Sequence, residues 1–275
     1  MTGFRAAFRA EAYDLASRPM LPVGLVAAAA IAWAFGRNAP FDGNGYLVFG
    51  AALSAGAKTA GFFLLGIAAG SVAGERTQGT VRWLLPRPVT RAGFVLGKAC
   101  ALAAAALLFL AVVTLAAYGA ASGKPFGDLV IEAESEGFEF VGERQVQPDL
   151  AAGAMRGHLY AATLSVLPAL LTATGIGILV SSLVAGAAAA VIVAFAVAVP
   201  LHFLPEVIGL SKETARTLPF RAAGEFLAQL EEYGRMLATR HWPDYGAGAL
   251  GGALVAALGL PLLAALLFSR TDLTD

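Results

Sequence analysis

The sequence predicts an all-α integral membrane protein of six transmembrane helices, and three observations carry that prediction. The 275-residue chain is 58% hydrophobic and only 14% charged, where soluble domains are about 45–50% apolar and about 25% charged. Its mean hydropathy is +0.71, and apolar stretches near the roughly 20 residues that cross a bilayer core of about 30 Å recur along it. Positive charge is also shared unequally among the segments that join those stretches.

The elements follow in chain order. Residues 3–18 read as an interfacial amphipathic helix, with Phe4, Ala7, Phe8, Ala12 and Leu15 on one face and Arg5, Arg9 and Asp14 elsewhere. An ordinary cytoplasmic tail would also account for this stretch. The spans are predicted at 20–36, 53–74, 97–121, 159–180, 183–204 and 246–268, with the second lying inside a longer apolar run, Leu47–Gly74. Gly36-Arg37-Asn38-Ala39-Pro40 is a poor cleavage site, so the first span reads as retained. The fourth and fifth spans are joined by little more than Ser181-Ser182, which predicts a tight helical hairpin.

Orientation follows from charge. The segment 75–96 contains Arg76, Arg82, Arg87 and Arg91 against the single acid Glu75, with Lys98 just beyond it. It is therefore placed in the cytoplasm, together with both termini. The loop 122–156 is then extracytoplasmic, and its seven acids from Asp128 to Asp149 outnumber Lys124, Arg144 and Arg156. Alternation of apolar and acidic residues around Ser135-Glu136-Gly137 predicts a small β-hairpin there. The other outer loop, 205–243, reads as helical, with an apolar stripe of Ala223, Phe226, Leu227, Leu230 and Leu237. Glycines recur at every fourth position, at Gly66, Gly70 and Gly74 and at Gly248 and Gly252, a spacing that lets helices approach closely within one chain or between two.

Composition excludes several functions. With 19 basic and 19 acidic residues the net charge is zero, so no nucleic-acid partner is indicated. One cysteine, Cys100, permits no intrachain disulfide. No G-x-x-x-x-G-K-[ST] phosphate loop is present, and His158, His202 and His241 have no metal-ligand spacing. Glu231-Glu232-Tyr233-Gly234-Arg235 departs by one residue from the paired-glutamate motif of membrane proteases and lies in an outer loop. An ion-coupled carrier needs ionisable groups deep in the bilayer; Lys58 is the one candidate, and its place near the outer edge of the span is better accounted for by snorkelling. A non-transporting scaffold or signalling subunit fits the same composition.

The stretch that points to function is the cytoplasmic elbow from Glu75 to Arg91. It leaves the membrane at Gly74 and carries Trp83, Leu84 and Leu85 on short helical turns. It breaks at Pro86 and Pro88 and restarts with Thr90 positioned to cap the next helix. A basic, partly apolar knob of this kind suits docking of a soluble partner. A snorkelling loop would need the arginines but not Trp83, Leu84 and Leu85.

The pattern Glu75-Arg76-x-x-Gly79-Thr80-x-x-x-Leu84-Leu85-x-x-Pro88-Val89-Thr90-Arg91, followed by Lys98, resembles the hallmark of type-2 ATP-binding-cassette (ABC) transporter permeases. The resemblance implies that the elbow is a coupling helix fitting a groove of a separate ATPase subunit. It implies an ATPase-coupling site of Glu75, Arg76, Gly79, Thr80, Arg82, Trp83, Leu84, Leu85, Arg87 and Arg91. It further implies an N-terminal elbow helix, ATP and Mg on the partner ATPase rather than on this chain, and a second permease copy or paralogue. The expected setting is the bacterial plasma membrane, and the expected activity is ATP-driven export. The sparse polar lining (Thr59, Ser71, Thr114, Thr163, Ser165, Thr172 and Thr174) favours a hydrophobic or amphipathic substrate; the same hydroxyls could equally serve their own helix backbones. The acidic outer loop is longer than the short turn common in the family.

Overall fold

Helix starts and stops follow the local chemistry of the chain. In the computed structural model, which describes residues 2–39, 44–79, 90–127, 152–203 and 247–270, seven helices succeed one another. They are α1 (Thr2–Ser17), α2 (Met20–Arg37), α3 (Gly45–Thr77), α4 (Arg91–Ala121), α5 (Ala152–Leu183), α6 (Ala187–Phe203) and α7 (Ala247–Arg270). Among the described residues every regular element is helical. The backbone must satisfy its own hydrogen bonds in lipid, which only helices and closed barrels achieve.

Four stretches are long and apolar enough to cross a membrane: α2, the 33 residues of α3, the 31 of α4, and Thr163–Leu183 within α5. Two shorter apolar stretches, Ala187–Pro200 and Leu254–Arg270, accompany them. The second predicted span thus belongs to a far longer helix. At about 1.5 Å per residue, α3 is about 50 Å long and exceeds the bilayer core. It starts early because Asn44 caps it, the side chain accepting from Tyr46 N at 2.9 Å. The Gly45 N–H is taken by Pro125 O at 2.8 Å. The Tyr46 and Phe126 rings meet edge-on at 5.0 Å, closing that end of the bundle. At the other end Thr90 caps α4 as the sequence predicts, accepting from Gly93 N at 3.1 Å.

α3 forms the axis and packs against α2, α4, α5 and α6, while α1 lies against α4 and α7 against α5 and α4. Helices in lipid gain little from apolar burial alone, so close backbone approach governs their packing. On α2 the buried residues are Gly24, Ala28, Ala32 and Gly36, one small residue per turn. A Cβ at Gly56 of α3 would lie 2.5 Å from Val113 Cγ1 and 2.8 Å from Ala32 Cβ, so α2, α3 and α4 converge there. The predicted stripe on α3 behaves differently. Gly70 and Gly74 have nothing within 4 Å of an added Cβ, and Gly66 meets only Met20 and Phe195 at ordinary contact distances. Close packing within the chain uses Gly56 and Gly177 instead. Neither glycine belongs to an every-fourth glycine row, and each gains its role from the small residues on the facing helix.

The α5–α6 joint also differs from expectation. Ser181 and Ser182 remain helical, and the break falls at residues 184–186. The Ser182 hydroxyl donates to Leu179 O at 2.7 Å, so a serine is accommodated inside the last turn. Pro168, Pro200 and Pro261 sit inside continuous helices. The predicted β-hairpin and the helical outer loop 205–243 lie outside the described residues.

Candidate functional site

The exit of α3, where the elbow begins, is tied to α1, to α4 and to the α5–α6 joint. α3 ends at Thr77 with Gln78 as its C-cap. Gly79 follows at φ +69°, and its N–H is held by Arg76 O at 3.1 Å. A left-handed residue at this position turns the chain sharply out of the helix, which glycine does without a Cβ penalty. That explains the motif glycine. Gly79→Ala is expected to cost about 1–2 kcal/mol and to loosen the elbow's root, read as lower thermal stability in detergent.

Two side chains of the last turn reach the α5–α6 joint. Arg76 Nη1 donates to Ser182 O at 3.2 Å, and Thr77 Oγ1 donates to Ala185 O at 3.1 Å. One turn earlier the Ser181 hydroxyl accepts from Val72 N at 2.9 Å and Ala73 N at 2.8 Å. A hydroxyl from α5 is thus inserted at the backbone of α3.

On the other flank Glu75 Oε1 pairs with Lys98 Nζ at 2.7 Å, and the same ammonium pairs with Glu11 Oε2 of α1. The Lys98 and Glu11 side chains are each 2% exposed and that of Glu75 19%, which makes this a buried cluster rather than a surface network. Lys98 also lies 5.2 Å from the Phe94 ring centroid, and Phe94 stacks on Phe268 near the end of α7. α1, α3, α4 and α7 therefore meet at one point. Beside it, a Cβ on Gly97 would come within 2.8 Å of Ala7 Cβ and 2.9 Å of Phe4 O, so α1 lies directly on the α4 backbone.

Burial pushes the Glu11 carboxyl above the ordinary carboxylate range; the charge and hydrogen bond of Lys98 oppose this, and Glu75 and Asp14 reinforce it. A raised carboxyl pKa means that the folded chain binds more protons than the unfolded one. Stability should therefore fall as pH rises from about 4.5 through the folded value. Lys98 of α4 and Glu75 of α3 face the group, while Asp14 on its own helix is paired with Arg18 at 2.6 Å. Glu11→Gln should flatten this segment of the stability–pH profile, measured as melting temperature in detergent at stepped pH.

Of the residues predicted to couple to an ATPase, the structure brings together Glu75, Arg76 and Gly79 at the exit of α3 and places Arg91 at the first position of α4. Thr80, Arg82, Trp83, Leu84, Leu85 and Arg87 lie outside the described residues. Sequence reasoning missed three participants. Glu11 sits one turn from both Ala7 and Leu15, on the buried face of α1. Its signal was an acid at the centre of an apolar stripe. Lys98, counted with the elbow's positive charge, is a buried base at the start of the third predicted span. Ser181 gave no signal beyond being a serine near a helix end. Lys58, by contrast, is exposed on α3.

The expected polar lining is largely consumed by its own helices. Thr59 donates to Ala55 O, Ser71 to Ala68 O, Thr163 to Leu159 O, Thr172 to Pro168 O and Thr174 to Leu171 O. Thr114 Oγ1 is buried without a hydrogen-bond partner among the described residues. Among those residues no cluster of His, Cys, Asp and Glu could hold a metal ion.

Long apolar helices bundled around α3 fit a protein that crosses the membrane several times. Residues 52–273 match the family described as ABC-2 family transporter protein, and the chain belongs to that family. It is a membrane permease component of an ABC transporter, a class that works with an ABC ATPase partner. No curated protein matches the chain in sequence.

Proposed function

We propose that this chain is the permease subunit of an ABC exporter that moves a hydrophobic or amphipathic substrate across a bacterial plasma membrane. It works as a pair, either two copies or this chain with a paralogue, driven by two separate ATPase subunits that carry ATP and Mg. Six spans place both termini in the cytoplasm, α6 and α7 completing the set, and α1 is the elbow helix at the cytoplasmic interface. Charge supports this orientation, because the basic segment 75–96 and the acidic loop 122–156 fall on opposite sides.

The observation that carries the reading is the cross-bracing of the α3 exit. A push on the elbow at residues 75–91 enters a helix end that is bonded to α4 and α1 through Lys98 and to the α5–α6 joint through Arg76, Thr77 and Ser181. Packed elements switch as units rather than deforming smoothly. Movement at the elbow would therefore reach the outer end of the bundle through α3 and α4. The substrate class rests on the lining: hydroxyls already bonded to their own helices leave an apolar surface suited to an amphiphile and poor for a small ion.

The test is transport by the purified complex in proteoliposomes. ATP should drive movement of a short-chain fluorescent phospholipid and leave a small charged dye in place. ATP-dependent movement of the charged dye with no effect on the phospholipid would overturn the substrate class, and no ATP-dependent movement of either would count against export.

A further inference from the structure

The cluster of Glu11, Lys98 and Glu75 joins a helix outside the family-matched residues 52–273 to two residues within them. A contact that only needed to hold α1 in place would be served as well by apolar side chains, because burying ions takes them out of water at a net penalty unless each is paired. Here one ammonium is shared by carboxylates from two different helices, with little solvent access to any of the three. The arrangement fixes a register: Lys98 pairs with both acids only when α1 and the exit of α3 occupy one position relative to α4. Gly97, next to Lys98, brings the α1 backbone against α4 and limits sliding between those helices.

We propose that Lys98 is a positioning residue for coupling, a buried charge clamp that makes α1 part of the lever formed by α3 and α4. The proposal rests on the permease reading above and goes beyond it. α1 is not a passive interfacial anchor. It travels with the elbow's root as one body when nucleotide closes the ATPase pair. Lys98 neither touches substrate nor contacts the ATPase; it acts by holding Glu75, the first residue of the elbow, and Glu11 at fixed positions.

The experiment uses the complete complex with its co-purified ATPase. Spin labels are placed at Cys100, exposed on α4, and at Tyr13→Cys on the exposed face of α1, where the native side chain is 78% accessible. The interlabel distance is measured without nucleotide and with ATP plus vanadate. The expected result for the wild-type background, with the labelled chain diluted into Cys100→Ser chains so that only intrachain pairs are read, is a single narrow distribution, unchanged by nucleotide. With Lys98→Met the distribution should stay narrow without nucleotide and split into two populations with it. A role confined to folding would broaden both states equally, and that result would overturn the proposal. So would a nucleotide-driven shift in the wild-type background, an arm that requires no Lys98 variant to fold. Glu11→Gln keeps the side-chain shape and should give a weaker splitting than Lys98→Met. Failure to recover an ATPase with the wild-type chain would instead remove the permease reading, and this inference with it, before any distance is measured.

Discussion

Lys98→Ala is expected to destabilise the chain by about 3–5 kcal/mol, the range for removing one partner of a buried ion pair and stranding the other. The loss is large because Lys98 pairs with both Glu11 and Glu75, and the Lys98 and Glu11 side chains are only 2% exposed. The Glu11 carboxylate, buried without its ammonium, would take up a proton to limit the damage, so the deficit should shrink as pH falls. Replacing all three residues by apolar ones of similar volume, Glu11→Leu/Lys98→Met/Glu75→Leu, should restore much of the stability, since no buried charge is then left alone. Lys58→Ala is the control. Its side chain is exposed and should contribute little. Loss of helical signal on heating in detergent, wild type beside the three variants, checks the series.

Gly177→Leu carries the second large effect. An added Cβ there would lie 2.6 Å from Ala68 Cβ, 2.8 Å from Leu65 O and 2.9 Å from Ala69 N. Two of those three atoms are α3 backbone and have no rotamer to escape into. Even Gly177→Ala must separate α3 from α5. The overpacking penalty of about 1–3 kcal/mol outweighs the gain of about 1 kcal/mol that alanine brings to a helix interior. Leucine should exceed it. The separation also pulls on the bonds from Val72 N and Ala73 N to the Ser181 hydroxyl, one turn along α5. Gly70→Ala should be neutral or slightly stabilising, because nothing lies within 4 Å of that site. Denaturation midpoints for the three variants decide the ranking, and equal effects at positions 70 and 177 would contradict it.

The contrast between Gly70 and Gly177 shows what the sequence could and could not reveal. Hydropathy marks helices, because a span must be apolar along most of its length. It located α2, the apolar run inside α3, α4, α5 and α7. It could not tell where α3 starts, because that depends on Asn44 and on a carbonyl from Pro125, far away in the chain. Every-fourth spacing of glycines is a property of one helix, while close approach belongs to two. The α3 stripe therefore makes no close approach within this chain, which leaves it open to packing between two, and the α2 row of Gly24, Ala28, Ala32 and Gly36 went unnoticed.

The candidate site divides the same way. Gly79 was legible from its motif and Thr90 from capping chemistry, both local effects. Glu11 and Lys98 are 87 positions apart, and nothing local pairs an acid on an amphipathic helix with a base at the start of a span. Arg76 has a further role that its sequence context did not suggest, holding Ser182 O across the bundle.

The central claim is that the elbow couples this bundle to an ATPase. Its most direct measurement is co-purification from mild detergent of the tagged chain, wild type beside Arg82→Glu/Leu85→Asp. The account predicts that wild type retains an ABC ATPase subunit and that the double variant, folded and inserted at normal levels, loses it. Equal recovery of the ATPase by both would contradict the coupling role of the elbow.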